Sequence, residues 1–335
     1  MLRHVNDALI VFASFAAACA AAELRVRPAE EWSSVFGGAP VTLHYRIEGP
    51  QEFRGRLGWS LSVAGRTLAR REQAVAVNPG RPETVAVTFE FPKVKPGVIM
   101  EARLSVAVYG QEGAPPAASH EKMLWVFCDD PFAHQTEWVK QLGIVLFDPE
   151  EGTRKAFEKA RIPFTAAGNL DAVAELSKGL LVVGEGTSFE DCPGLPDVMM
   201  KLAAKGVPVC CLAPSGGEFV LPGTEGAETP RPTRFALRRN DIITELDKRL
   251  DATSWPPDGK VVASSLAVRT RREVVVADAV AGDTAWPWLE LSFPGDRAKL
   301  VVCGFGIVSH WEAGPAPRFL LARILEFLDG KENRK

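Results

Sequence analysis

Gly179-Leu180-Leu181-Val182-Val183-Gly184 opens the stretch that decides the fold, and Val207-Pro208-Val209-Cys210-Cys211-Leu212 closes it. Both are short apolar runs, and the second gives way to Pro214-Ser215-Gly216-Gly217. Between them, residues 196–205 put Val198, Met199, Leu202 and Ala203 on one face and Lys201 and Lys205 on the other, which is a helical period. Strand, helix and strand in this order predict a right-handed crossover inside a parallel sheet buried on both faces. Gly206 suits the position just after a helix end.

The same grammar extends to both sides of this unit. Ile144-Val145-Leu146-Phe147 reads as a buried strand, followed by a helix with Ala156, Phe157 and Ala160 on one face. Residues 163–166 read as a strand, and Asp171 is expected to cap a helix running to Leu176. Downstream, residues 216–239 read as a Gly/Pro-rich loop and 242–250 as a short helix. Strands are expected over 261–268, 274–279, 289–293 and 300–305. A last helix turns Leu320, Leu321, Ile324, Leu325 and Leu328 inward and stops at Gly330.

Upstream of Phe127 the period changes to two. Leu24-Val26, Val41 to Ile47, Leu57 to Val63, Ala74 to Val77, Val85 to Phe91, Ala102 to Val108 and Met123 to Val126 read as seven strands separated by Gly and Pro. This is a β-sandwich pattern, with Trp59 in the third strand as in immunoglobulin-like domains but with no cysteine pair beside it. The expected architecture is therefore an all-β immunoglobulin-like sandwich over 23–127, a linker over 128–141, and a three-layer α/β domain over 142–330.

Residues 1–22 have the layout of a secretory signal peptide: Arg3 in a short polar start, an apolar run from Ala8 to Ala18, then Ala20-Ala21-Ala22 before Glu23. Simple export to the periplasm or the extracellular space is preferred to lipid anchoring at Cys19, because Ala16 stands where a lipoprotein box has Leu. The apolar run is too short to span a bilayer, and no membrane span is expected in the mature chain. A net charge of −3 on 335 residues gives no footprint for nucleic acid. The five cysteines left after cleavage are an odd number, with Cys210, Cys211 and Cys303 inside apolar strands as buried thiols. Cys128 and Cys192 fall in loops, where they are able to pair.

Several of these segments together resemble a known pattern. They are Phe147-Asp148-Pro149-Glu150, residues 179–184, residues 204–209, Trp288-Leu289-Glu290-Leu291, residues 300–303 and residues 315–321. Residues 143–330 resemble the class I glutamine amidotransferase-like fold, itself flavodoxin-like, in the non-catalytic form attached to secreted bacterial glycoside hydrolases. The resemblance implies a carbohydrate-related, exported setting. Catalytic members of that fold use a Cys on a tight strand-to-helix elbow, G-x-C-x-G, and a late His-x-Glu that activates it. Here His310-Trp311-Glu312 follows the last strand, and Cys210 or Cys211 stands in the right strand for a cysteine hydrolase or amidase. Aligning the elbow, however, puts Ala213 at the nucleophile position, with no helix evident beyond it. Ser215 lacks the glycine two residues before it that a serine elbow needs.

The reading this supports is an exported, non-catalytic binding or assembly protein around carbohydrate processing, with a glycan or a cell-envelope protein as partner. A purely structural envelope role is the third reading. Candidate ligand residues are Asp148, Glu185, Ser215 and His310 at the C-terminal strand ends, together with Trp255, Trp288 and Trp311. The tryptophans either stack on sugar rings or cap the sheet and pack against the sandwich. The chain shows no zinc spacing, and Gly184-Glu185-Gly186 and Gly304-Phe305-Gly306 lack the third glycine of a dinucleotide fingerprint, so neither metal nor cofactor is expected. Paired acids such as Asp129-Asp130, Glu150-Glu151 and Glu190-Asp191 read as solvated loop residues rather than glycosidase carboxylates.

Overall fold

The structure is a computed structural model that describes residues 24–221, 231–263, 267–270, 275–278, 286–295 and 298–330. The expected signal segment, residues 1–22, lies outside the described residues. The chain is a mixed α/β protein built on several sheets.

Its first half is all strand: β1 (Arg25–Pro28), β2 (Ser34–Phe36), β3 (Pro40–Glu48), β4 (Phe53–Val63), β5 (Arg66–Val77), β6 (Glu83–Glu90), β7 (Ile99–Tyr109) and β8 (Ala118–Phe127). They form a three-stranded sheet, β1-β3-β6, and a five-stranded sheet, β2-β8-β7-β4-β5. Alternation drives the burial, since one side chain in two points to each face. Leu43, Tyr45 and Ile47 from β3 meet Leu57, Trp59 and Leu61 from β4 in one core; the intervening residues are exposed in β3 and half-buried in β4. Trp59 packs on Phe89, with ring centroids 6.2 Å apart. The seven expected strands are all present, and β2 is an addition. At three residues it is too short to show a period, and it is held by parallel pairing of Ser34–Phe36 with Trp125–Phe127.

The second half begins with α1 (Thr136–Leu142), β9 (Ile144–Phe147), α2 (Gly152–Lys159), β10 (Thr165–Ala166), α3 (Leu170–Ala174), β11 (Leu180–Val183), α4 (Leu195–Ala204) and β12 (Val209–Leu212). It continues with β13 (Glu218–Leu221), β14 (Arg234–Arg238), α5 (Asp241–Leu246), β15 (Ala267–Thr270), β16 (Val275–Asp278), β17 (Trp288–Ser292), β18 (Lys299–Cys303) and α6 (Pro315–Leu328). A seven-stranded sheet runs β10-β9-β11-β12-β18-β17-β14. Its first five strands are mutually parallel, and β17 and β14 extend the edge antiparallel. β11 and β12 are apolar on both faces because both faces are covered. Cys210 and Leu212 face α6 and the first half, whereas Cys211 and Val209 face α4. Gly206, at φ +86°, turns the chain out of α4, as its position in the sequence predicts.

Several expected boundaries shift for local reasons. β10 is only Thr165–Ala166 instead of 163–166, and Pro163 has no N–H to give a ladder. Asn169, not Asp171, caps α3: its side-chain oxygen accepts the Ala172 N–H at 2.9 Å, so the helix starts two residues earlier. The stretch expected as one loop over 216–239 contains β13 and β14, with 222–230 outside the described residues. α5 stops at Leu246, because Asp247 turns extended to meet Arg249 and Arg323. The strand expected over 261–268 reduces to a bridge between Val262 and Phe305 and the separate β15, with 264–266 outside the described residues.

The two halves share a continuous core. One apolar cluster passes from the strands of the first half through Phe127, Cys128 and Phe132 into the α6 side of the large sheet. The rings of Phe127 and Phe319 lie 4.6 Å apart, and the Arg318 guanidinium stacks 4.8 Å from Phe36. A polar clamp adds to this contact. The Asp251 carboxylate accepts the backbone N–H of Ser33 at 2.7 Å and of Ser34 at 2.8 Å, and the Ser34 hydroxyl as well.

Candidate functional site

At the C-terminal ends of the parallel strands the structure gathers Asp148, Gly184, Glu185, Ala213 and the loop after β18. Asp148 follows β9 and is buried. One carboxylate oxygen accepts the Arg154 N–H at 2.7 Å at the start of α2; the other is buried without a partner. Burial pushes its carboxyl up, and the Arg154 and Thr153 backbone donors pull the other way. The unpartnered oxygen faces Gly184. A Cβ at Gly184 would stand 2.6 Å from the Asp148 carboxyl carbon, so only glycine admits this approach. Asp148 therefore joins the end of β9 to α2 and packs on β11.

Glu185 is also committed to structure. Its N–H donates to the Thr153 hydroxyl at 2.8 Å, and its carboxylate accepts the N–H of Val308 at 2.6 Å and of Ser309 at 3.0 Å. This pins the loop after β18, the loop that carries His310. His310 Nδ1 lies 3.0 Å from the Gly306 carbonyl and Nε2 lies 3.2 Å from Asp258 Oδ1, with Trp255 edge-on at 6.0 Å. A carbonyl only accepts, so the Gly306 contact places a proton on Nδ1. The Ser309 hydroxyl, 3.1 Å from the same nitrogen, then meets an N–H rather than a base, and no serine relay forms.

The cysteine dyad of the alternative reading, Cys210 or Cys211 with His310 and Glu312, is not assembled. Glu312 bonds Lys159 at 2.8 Å and Arg318 at 2.9 Å, not His310. The Lys159 hydrogen bond first, then the Arg318 charge, hold its carboxyl below the usual range. Cys210 and Cys211 are fully buried, and burial pushes both thiols up, away from the thiolate a nucleophile needs. At the aligned elbow position stands Ala213, at φ +25° and with its N–H donating to Cys303 at 2.6 Å. A methyl group occupies the turn, and β13 rather than a helix follows. Ser215 is exposed, and its N–H donates to the Thr187 carbonyl at 3.2 Å.

Of the two readings open for the tryptophans, sugar platforms or sheet-capping packing, the structure has the second: they are core residues. Trp255 and Trp288 are fully buried and Trp311 is 4% exposed. Trp255 donates to the Asp251 carbonyl at 2.7 Å, and Trp288 packs edge-on against Phe327 at 6.1 Å. Neither has a ring face free to stack. Cys128 and Cys192 are both free thiols rather than a pair; Cys128 is buried and donates to the Asp130 carbonyl at 3.2 Å. Among the described residues no cluster of three metal-ligating side chains occurs, and no helix is long and apolar enough to cross a membrane.

The open feature near this edge is a cleft of about 230 Å³ where the two halves meet, lined by residues 129–131, 159–161, Trp311, Glu312 and Arg318. Sequence reasoning reached Trp311 and Glu312 but missed Lys159, Arg161, Arg318 and Asp258. Each is a lone charge on a turn or helix end, with no spacing to mark it.

No protein-family model matches the chain, and no curated protein matches it. Among solved structures, the sporulation control protein Spo0M of Bacillus subtilis is similar at 16% identity and a TM-score of 0.27, over 36% of this chain and 56% of that one. A cycloisomaltooligosaccharide glucanotransferase of Paenibacillus sp. is similar at 13% identity and a TM-score of 0.26, over 49% of this chain and 20% of that one. A β-glucosidase of Listeria innocua is similar at 14% identity and a TM-score of 0.24, over 31% of this chain and 16% of that one. The chain thus spans little more than half of the first of these and a fifth or less of the other two.

Proposed function

We propose that this chain is an exported, non-catalytic binding or assembly protein that works around carbohydrate processing. Its first half is read as an immunoglobulin-like sandwich and its second as a flavodoxin-like domain of the class I glutamine amidotransferase-like kind. The order of the five parallel strands supports the second assignment. Numbered along the chain, β10-β9-β11-β12-β18 is 2-1-3-4-5, the flavodoxin-like order.

One observation carries the non-catalytic reading: every group the cysteine chemistry would need is engaged elsewhere. Glu312 serves Lys159 and Arg318, His310 serves Gly306 and Asp258, and the thiols lie inside the sheet. Fold likeness alone is no warrant for a substrate. The carbohydrate setting rests on the family resemblance of residues 143–330 and the export route on the layout of residues 1–22, and the partner on this reading is a glycan or a cell-envelope protein.

The test is a binding screen of the purified mature protein against neutral and acidic oligosaccharides, with pull-down from an envelope fraction of the source cell. Specific retention of a glycan or an envelope protein, with no hydrolase or amidase activity, is the expected result. Turnover of an amide or ester substrate that is lost in His310→Ala would overturn the non-catalytic reading.

A further inference from the structure

The cleft between the halves contains a side chain held in place against its backbone preference. α2 ends in a double hydrogen-bonded turn: the Arg161 N–H donates to Glu158 at 3.1 Å and the Ile162 N–H to Phe157 at 2.9 Å. The residue that completes such a turn is left-handed, and glycine is the usual occupant. α4 follows this rule with Gly206, whereas α2 has Arg161 at φ +55°. A side chain in this conformation stores strain, and such strain concentrates at binding sites. Arg161 lines the cleft, exposed, and its guanidinium has no ion-pair partner among the described residues.

The other cations of the cleft are already organised. Arg318 is held by the Trp311 carbonyl at 2.6 Å and the Asp129 carbonyl at 2.8 Å, and it stacks between Phe36 and Trp311. Lys159 and Arg318 share a single carboxylate, that of Glu312, which is 58% exposed on its loop. Two cations thus converge on one exposed, internally supplied carboxylate, and Arg161 lines the same cleft without one. Across the cleft, Asp130 is tied to the Phe132 N–H at 2.7 Å, and the Asp129 carboxylate has no ion-pair partner among the described residues.

We propose that this cleft binds an acidic sugar, with the ligand carboxylate taking the place of Glu312 between Lys159 and Arg318 and engaging Arg161. The mixed lining favours a sugar acid over a bare anion. A hydroxyl needs acceptors, which Asp129 and Asp130 supply, while a carboxylate needs charged donors. About 230 Å³ is smaller than the roughly 300 Å³ at which drug-sized sites begin, and it leaves room for one sugar ring. This inference rests on the glycan-binding reading above and narrows it to one ligand class.

The test is calorimetric titration of the mature protein with trigalacturonate, maltotriose and inorganic sulfate at low and high salt. Trigalacturonate is expected to bind at least tenfold more tightly than either of the others, with affinity falling as salt rises. Arg161→Gly removes the side chain and relieves the backbone, so it should lose at least tenfold in affinity with no fall in melting temperature. Glu312→Gln should gain several-fold, because the internal competitor has lost its charge. Sulfate binding as tight as trigalacturonate, or full affinity in Arg161→Gly, overturns the inference. Binding of maltotriose alone overturns it and leaves the general glycan reading standing, whereas binding of no sugar in the wider screen removes that reading too.

Discussion

Asp251→Ala should loosen the two halves from each other, and the structure sets the size of the effect. The carboxylate accepts the Ser33 and Ser34 backbone N–H groups, which have no other acceptor in the β2–β8 pairing, and also the Ser34 hydroxyl. Lys122, which donates to the Glu30 and Glu31 carbonyls at 3.1 Å, lies close enough to feel its charge. Alanine orphans two backbone donors, each costing about 1–3 kcal/mol where water is excluded. Asp251 is only half-buried and water recovers part of this, which leaves a loss of about 2–4 kcal/mol. Urea unfolding followed by tryptophan fluorescence and far-ultraviolet circular dichroism measures it, with Ser34→Ala and the double variant closing a cycle. The singles should couple by about 1 kcal/mol or more, because they share one hydrogen-bond network. The wild type should unfold in one transition, since one core serves both halves. Burial raises the Asp251 carboxyl, so the folded chain holds the proton longer than the unfolded one. That contribution makes stability fall as pH rises from about 4 through the folded value, and the slope should vanish in the variant. A loss under about 0.5 kcal/mol with no coupling would refute the clamp, as would two separate transitions in the wild type.

Other consequences are equally open to measurement. Gly184→Ala drives a methyl group into the Asp148 carboxyl group and should lower stability by about 1–3 kcal/mol, read as a fall in melting temperature; an unchanged value would contradict the close approach. Asp247 accepts the Arg249 Nε and Nη2 at 2.7 Å each and the Arg323 Nε at 3.0 Å; burial raises its carboxyl, but these donors and charges together outweigh that and hold it low. Asp247→Asn should therefore cost about 2–4 kcal/mol at neutral pH, and the gap to wild type should close as pH falls below about 4 through the lowered folded value. A gap independent of pH between 2 and 7, followed by urea titration at each pH, would show that charge is not what Asp247 contributes.

The particular elements show why some features were legible in the sequence and others were not. β11, α4 and β12 announced themselves because their burial is periodic and local: four apolar residues in each strand, and one apolar helix face opposite Lys201 and Lys205. Gly206 was legible because a single backbone conformation demands it. β2 was not, since its three residues are held by a neighbour 91 positions away, Trp125 against Ser34. The candidate site divides in the same way. Ala213 at the strand end, and the thiols inside the strand, follow from position in the sheet. The fates of His310 and Glu312 depend on Asp258, Lys159 and Arg318, which arrive from separate turns and leave no pattern in the chain. The tryptophans look alike in the sequence whether they cover a sheet or face a ligand. Only the packing of Trp255 on Phe305 and of Trp288 on Phe327 tells them apart.

Native-state alkylation with iodoacetamide at neutral pH, with mass spectrometry to locate each modified cysteine, bears most directly on the non-catalytic reading. Half-exposed Cys192 should label in the folded protein and serve as the internal standard, although partial burial raises its thiol somewhat. Cys210, Cys211 and Cys303 should label only after unfolding, at a rate His310→Ala leaves unchanged. Rapid labelling of Cys210 or Cys211 in the folded protein, slowed by His310→Ala, would reveal an activated thiolate and contradict the account.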